Sequence, residues 1–126
     1  MGPIHLSLHH IQIAAPAGCE DDARRFYGGV LGLDEIEKPE QLQQQGGCWF
    51  RCGGHQIHIG VEPDFRPARK AHAAFAAVNL ETLRTRLLAR GFRVTDDSNL
   101  PGVRRFYTSD PWGNRIEFIE QPSEPG

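Results

Sequence analysis

Four side chains in this chain of 126 residues fall at spacings that could build a metal centre. His10 lies in the partly alternating run LSLHHIQIA, residues 6–14. His72 lies in the apolar run AHAAFAAV, residues 71–78. Glu117 is set between Ile116 and Phe118, and His58 between Ile57 and Ile59. Successive side chains of a strand point to opposite faces. Turning His10 inward therefore sends Ile11 and Ile13 to the other face, against a helix. Turning Glu117 and His58 inward does the same for their apolar neighbours. Three strands thus agree on one polar set. Two or three histidines with one carboxylate suit Zn, Ni, Mn, Fe or Co. A charge between Ile116 and Phe118 is costly without a cation. We expect a divalent metal ion at His10, His72 and Glu117, with His58 as a fourth ligand. The plainer reading pairs Glu117 with Arg115 or Arg105 and leaves the histidines as hydrogen-bonded surface groups. His5 and His9 read that way, His9 facing away from the site. His55 reads as solvated at a turn.

The elements that must position these residues occur twice. Residues 6–14 read as a strand ended by Pro16 and Gly18, and residues 20–31 as a helix. The helix starts on acids, which suit a helix N-terminus, and Gly32 follows as its C-cap. Ala23, Phe26, Tyr27, Val30 and Leu31 fall at helical spacing. A short strand at 33–38, an excursion at 39–46 and strands at 47–52 and 56–62 complete a β-α-β-β-β order. Gly53-Gly54 marks a hairpin. Residues 63–70, PDFRPARK, read as a linker. The order then restarts: strand 71–78, helix 80–90 with Leu80, Leu83, Leu87 and Leu88 at helical spacing, and strands at 92–95, 103–108 and 115–120. Turn formers fill residues 109–114, SDPWGN. The fold class expected is α+β: two βαβββ modules forming a paired, partly open β-barrel-like cavity. We read residues 1–126 as one domain, with modules at 5–62 and 71–121, a linker at 63–70 and a tail at 122–126. An internal repeat matters more than any single motif, and the concavity two such modules share is a natural ligand site.

Bulk properties exclude other classes. The formal net charge of −2 and the scattered basic residues point to no nucleic-acid or membrane partner. No run approaches the roughly 20 apolar residues of a membrane helix, and the start lacks a signal-peptide pattern. We expect a cytoplasmic protein. Cys19, Cys48 and Cys52 form no CxxC and read as reduced thiols. Cys48 and Cys52 with His55 and His58 crowd into one hairpin, where a four-ligand zinc finger needs its ligand pairs separated.

Residues 8–33, LHHIQIAAPAGCEDDARRFYGGVLGL, resemble the strand-helix opening of the glyoxalase/bleomycin-resistance/extradiol-dioxygenase superfamily. Residues 104–120, RRFYTSDPWGNRIEFIE, resemble its closing hairpin, in which DP-x-GN-x-IE ends on the metal glutamate. The resemblance implies two βαβββ modules, often dimeric, and metal ligands at His10, His72 and Glu117. His58 falls where glyoxalase I carries a further Glu, so a His3Glu site departs from that pattern. Tyr107 falls where fosfomycin-modifying members place a substrate-contacting Tyr. Arg105 shares its face by parity and could bind an anionic substrate, or form a surface ion pair. Gln12 follows His10 on the same face. Ala14 stands where glyoxalase I members tend to carry an Arg for glutathione, which counts against glutathione-linked chemistry. Trp112 reads as packing locally in its turn.

The function expected is a glyoxalase-like, lyase- or isomerase-type metalloenzyme. It would act on a small oxygenated substrate, stabilising an enediolate or alkoxide through bidentate chelation. Glu117, Tyr107 and Arg105 would carry catalysis; Gln12, Tyr107 and Arg105 would contact substrate. The alternatives are a bleomycin- or fosfomycin-type resistance protein and an Fe(II) extradiol dioxygenase. The partner expected besides substrate is a second copy of the chain.

Overall fold

Alternation of apolar and polar residues produces the same sheet twice. The computed structural model describes residues 2–121 and forms two compact units, Met1–Phe65 and Arg66–Gly126. In the first unit, β1 (His10–Ala15), β2 (Asp34–Ile36), β3 (Cys48–Cys52) and β4 (His55–Val61) form a sheet of order β1-β4-β3-β2. In the second, β5 (Ala73–Ala77), β6 (Thr95–Asp96), β7 (Arg105–Ser109) and β8 (Arg115–Glu120) form one of order β5-β8-β7-β6. In each, the first strand runs parallel to the last and the other pairings are antiparallel. A helix follows the first strand of each sheet. The fold is therefore α+β, two βαβββ modules. The tail expected at 122–126 lies outside the described residues.

One face of each sheet is apolar and carries the helix. In the first unit Phe50, Cys48, Ile57 and Ile59 are buried, and the Tyr27 ring from the helix lies 6.0 Å from that of Phe50. In the second unit Phe106, Ile116, Phe118, Leu80 and Leu87 are buried. Phe106 and Phe75 each lie against Phe118, with ring centroids 5.4 and 5.6 Å apart.

Several elements differ from the sequence expectation. The first helix, α1, is α-helical only over Glu20–Ala23 and continues as a π-helix over Arg24–Val30. The wider turn still buries Phe26, Tyr27 and Val30 together, but leaves Leu31 half-buried. Gly32, with φ +78°, ends it as expected. Glu20 does more than bias the helix start: its carboxylate accepts the Gly47 N–H at 2.7 Å, tying α1 to the entry of β3. Its pKa is lowered chiefly by that bond. The excursion becomes a 3-10 helix, Glu40–Gln45. In α2 (Leu80–Ala89), Leu88 is 47% exposed, because the sheet takes only the stripe of Leu80 and Leu87. β1 starts at His10 rather than residue 6, and Ile4, Leu6 and Leu8 ahead of it are exposed. β5 starts after His72, β6 is displaced to Thr95–Asp96, and β7 starts at Arg105 rather than 103.

The turn between β7 and β8 explains its own sequence. Asp110 is buried, and its carboxylate accepts the backbone N–H groups of Trp112 and Asn114 and the Asn114 side-chain amide. Asn114 Oδ1 accepts the Ala68 N–H, and the Ala68 carbonyl accepts the Arg115 N–H. Gly113 takes φ +95°, a conformation L side chains rarely adopt. The DPWGN segment is thus a structural clasp that fixes the start of β8, and with it the place of Glu117.

Candidate metal centre

The ladders put the candidate residues at matching positions in the two sheets. Gln12 pairs with His58 across β1 and β4, and Ala74 with Glu117 across β5 and β8. Trp49 lies opposite His58, and Tyr107 opposite Glu117. His10 and His72 each stand two residues before the strand residue facing His58 or Glu117. The internal repeat therefore holds residue by residue at the site.

In the second unit, His72 and Glu117 meet. His72 Nδ1 is 2.8 Å from the Lys70 carbonyl, which only accepts, so Nδ1 carries the ring proton. His72 Nε2 is 2.9 Å from Glu117 Oε1. A neutral ring then turns its remaining lone pair toward a carboxylate that is 7% exposed. Two acceptors at that distance need a proton shared between them or a metal ion. A histidine whose N–H is held by a backbone carbonyl and whose other nitrogen is free is the usual geometry of a metal ligand. His72 Nε2 and the Glu117 carboxylate are two donors of the kind a divalent cation takes.

Arg105 contributes to the same cluster as an ion-pair partner. Its Nη1 is 3.5 Å from Glu117 Oε2 and its Nη2 is 3.4 Å from Asp97 Oδ2. Its Nε is buried without a partner among the described residues. Of the two arginines that could pair with Glu117, the structure selects Arg105. The Tyr107 ring meets His72 edge-on, with centroids 5.5 Å apart. Arg115 instead lays its guanidinium over the Tyr107 ring, 3.9 Å from the centroid.

In the first unit, His58 is 5% exposed and stacked on two rings. Trp49 covers it at 3.7 Å between centroids and His10 lies 4.1 Å away. His58 Nε2 donates to Gln56 Oε1 at 2.8 Å, leaving the lone pair on Nδ1. Burial, reinforced by His10, His9 and Lys38, pushes its pKa down to about 4. The ring is therefore held in the neutral form that a ligand needs. In the metal-free protein we expect the His58 ring NMR signals to stay flat from pH 8 down to about pH 5. The folded pKa lies below the unfolded one, so this group costs stability as pH falls from the unfolded value of 6.5 toward about 4. A His58 midpoint near 6.5 would contradict the stacked geometry. His9 does not face away from His10: the two Nδ1 atoms are 2.9 Å apart. Strand alternation starts only at His10, so it does not govern His9.

The structure thus joins His10 with His58, and His72 with Glu117, Arg105 and Tyr107. Gln12 is exposed in β1. Among the described residues no group of three or more His, Cys, Asp or Glu side chains is placed to hold a metal ion. The three cysteines are free, and burial pushes the Cys19 and Cys48 thiols up to about 11 and about 12. Among the described residues no helix is long and apolar enough to cross a membrane. Sequence reasoning missed Trp49, Asp97 and the stacking role of Arg115. Trp49 was within reach, since it occupies the sheet position of Tyr107.

The sequence profile of the Glyoxalase/Bleomycin resistance protein/Dioxygenase superfamily matches residues 7–118. The chain belongs to this superfamily. A crystal structure of a Bacillus anthracis protein assigned to the glyoxalase family is similar at 50% identity, with a TM-score of 0.91 over 96% of this chain and 99% of that one. The Arabidopsis thaliana protein named glyoxylase I 4 is 28% identical over 98% of this chain and 76% of its own length. The fosfomycin resistance protein FosX from Listeria monocytogenes is 18% identical, with a TM-score of 0.76 over 96% and 98% of the two chains, a likeness of fold. The superfamily assignment agrees with the repeated βαβββ ladders and with the DPWGN clasp.

Proposed function

We propose that this superfamily member is a glyoxalase-like metalloenzyme of the lyase or isomerase type. Its substrate would be a small molecule with two neighbouring oxygens. One observation carries the reading: His72 Nε2, on a ring whose Nδ1 is held by the Lys70 carbonyl, faces the buried Glu117 carboxylate at 2.9 Å. His72 and Glu117 would hold a divalent ion. The ion would supply Lewis-acid stabilisation of charge developing on substrate oxygens. Glu117 Oε2, which faces Arg105 Nη1 at 3.5 Å, would take or return a substrate proton. Arg105 holds that carboxylate in place, while Asp97 balances its charge. The Tyr107 hydroxyl and the exposed Gln12 amide would bond substrate oxygens.

Elemental analysis of protein purified without a histidine tag tests the reading. About one Zn, Ni, Mn, Co or Fe per site is expected. A chain that holds none of these and refuses all five when they are added would overturn it.

We also propose a homodimer. Ile4, Leu6 and Leu8 are 88, 92 and 58% exposed ahead of β1, an apolar arm that a second copy would cover. Light scattering at micromolar concentration should give twice the 14.1 kDa chain mass. A monomer at all concentrations rejects this.

A further inference from the structure

We infer that the second unit carries an anion subsite beside the His72–Glu117 pair, built on Arg93 and Arg115 and made to hold a carboxylate, phosphate or phosphonate group of the substrate. A depression of about 230 Å³ is lined by Arg93, Thr95, Tyr107, Thr108, Ser109 and Arg115. Two arginines line it and no acidic residue does. Two larger cavities show the contrast. One, of about 370 Å³, sets Arg84, Arg104 and Arg105 against Glu81, Asp96 and Asp97. The other, of about 430 Å³, sets Arg24 and Lys38 against Glu20, Glu35 and Glu37. Their charges are balanced by the protein. Among the described residues neither Arg93 nor Arg115 lies within ion-pair distance of a carboxylate.

Both arginines are positioned. Arg115 is stacked on the Tyr107 ring, and its backbone N–H is bonded to Ala68. Stacking uses the face of a guanidinium and leaves its in-plane N–H donors for a bidentate anion. The Arg93 carbonyl accepts the buried Thr108 hydroxyl at 2.7 Å, which ties its backbone to β7. Thr95 and Ser109 add exposed hydroxyls at the rim. Tyr107 is the shared wall: one aspect lines the depression, and its ring lies edge-on to His72. The anionic-substrate role first considered for Arg105 therefore suits Arg115 and Arg93 better, because Arg105 is already committed to Asp97 and Glu117. That the anion belongs to a substrate rests on the metalloenzyme reading; the subsite itself does not.

Inorganic phosphate titrated into metal-free protein at low salt, followed by amide NMR shifts, tests this. Saturable shifts are expected at Thr95, Tyr107, Ser109 and Arg115. Arg115→Gln should weaken phosphate roughly tenfold, since a charge-assisted bidentate contact is lost. Arg115→Lys should fall between, and the exposed Arg93→Gln should also weaken it while leaving the fold intact. His72→Ala should keep phosphate binding, and all three arginine variants should keep divalent-metal uptake, so failure of the metal reading stays distinguishable. Phosphate shifts that do not saturate, or equal affinity in Arg93→Gln, Arg115→Gln and wild type, would overturn the subsite.

Discussion

Glu117→Gln is expected to lower divalent-metal affinity by about 100-fold or more while leaving the metal-free protein nearly as stable. Partners one shell removed from a metal already contribute about 10–100-fold in affinity, and a direct anionic ligand should exceed that. The substitution keeps shape and removes charge. It also supplies a side-chain N–H that can donate to the lone pair on His72 Nε2, which in wild type faces an acceptor at 2.9 Å. Arg105 loses one carboxylate but retains Asp97 at 3.4 Å. Calorimetric titration with Zn or Ni gives the affinity, and thermal melting of chelated protein gives the stability. A structural ion-pair role predicts the reverse, with metal uptake unchanged and the melting temperature of the chelated protein falling by several degrees.

Phe106→Ala should have the largest effect on the fold, about 3–5 kcal/mol of destabilisation by the usual cost of emptying a buried phenylalanine site. Phe106 is 1% exposed and its ring lies 5.4 Å from Phe118. It also sets the parity of β7, since burying it turns Arg105 and Tyr107 to the other face. The loss is a large share of the roughly 5–15 kcal/mol that stabilises an ordinary domain. Denaturant unfolding should show a midpoint far below wild type. Leu88→Ala, at a 47% exposed site, should stay within about 0.5 kcal/mol. A Phe106→Ala change below about 1 kcal/mol would contradict the assigned register.

What was legible in the sequence follows from which physical constraint is local. Strand parity is local: Ile57 and Ile59 inward to the helix forced His58 to the opposite face, and the same holds for Glu117 between Ile116 and Phe118. The repeat was legible because His10 and His72 head matching apolar runs. The DPWGN turn was readable as a turn, but its role as a clasp on Ala68 depends on bonds to a residue far back in the chain. The π-helical continuation of α1 was hidden, because Phe26, Tyr27 and Val30 suit either winding. His9 was misplaced because strand rules were applied one residue beyond the strand. The stack of Trp49 on His58 and the pairing of Arg105 with Asp97 arise from cross-strand and loop contacts that periodicity along one strand does not reveal. The same limit made Arg105 look available to a ligand when its charge is already balanced.

The central claim is that His72 Nε2 and Glu117 grip a divalent ion. Anomalous diffraction from crystals grown with Zn or Ni tests it most directly. A peak is expected about 2.0–2.3 Å from His72 Nε2 and from a Glu117 oxygen. Metal-soaked crystals with no peak at this pair, and His72 still bonded directly to Glu117, would contradict it.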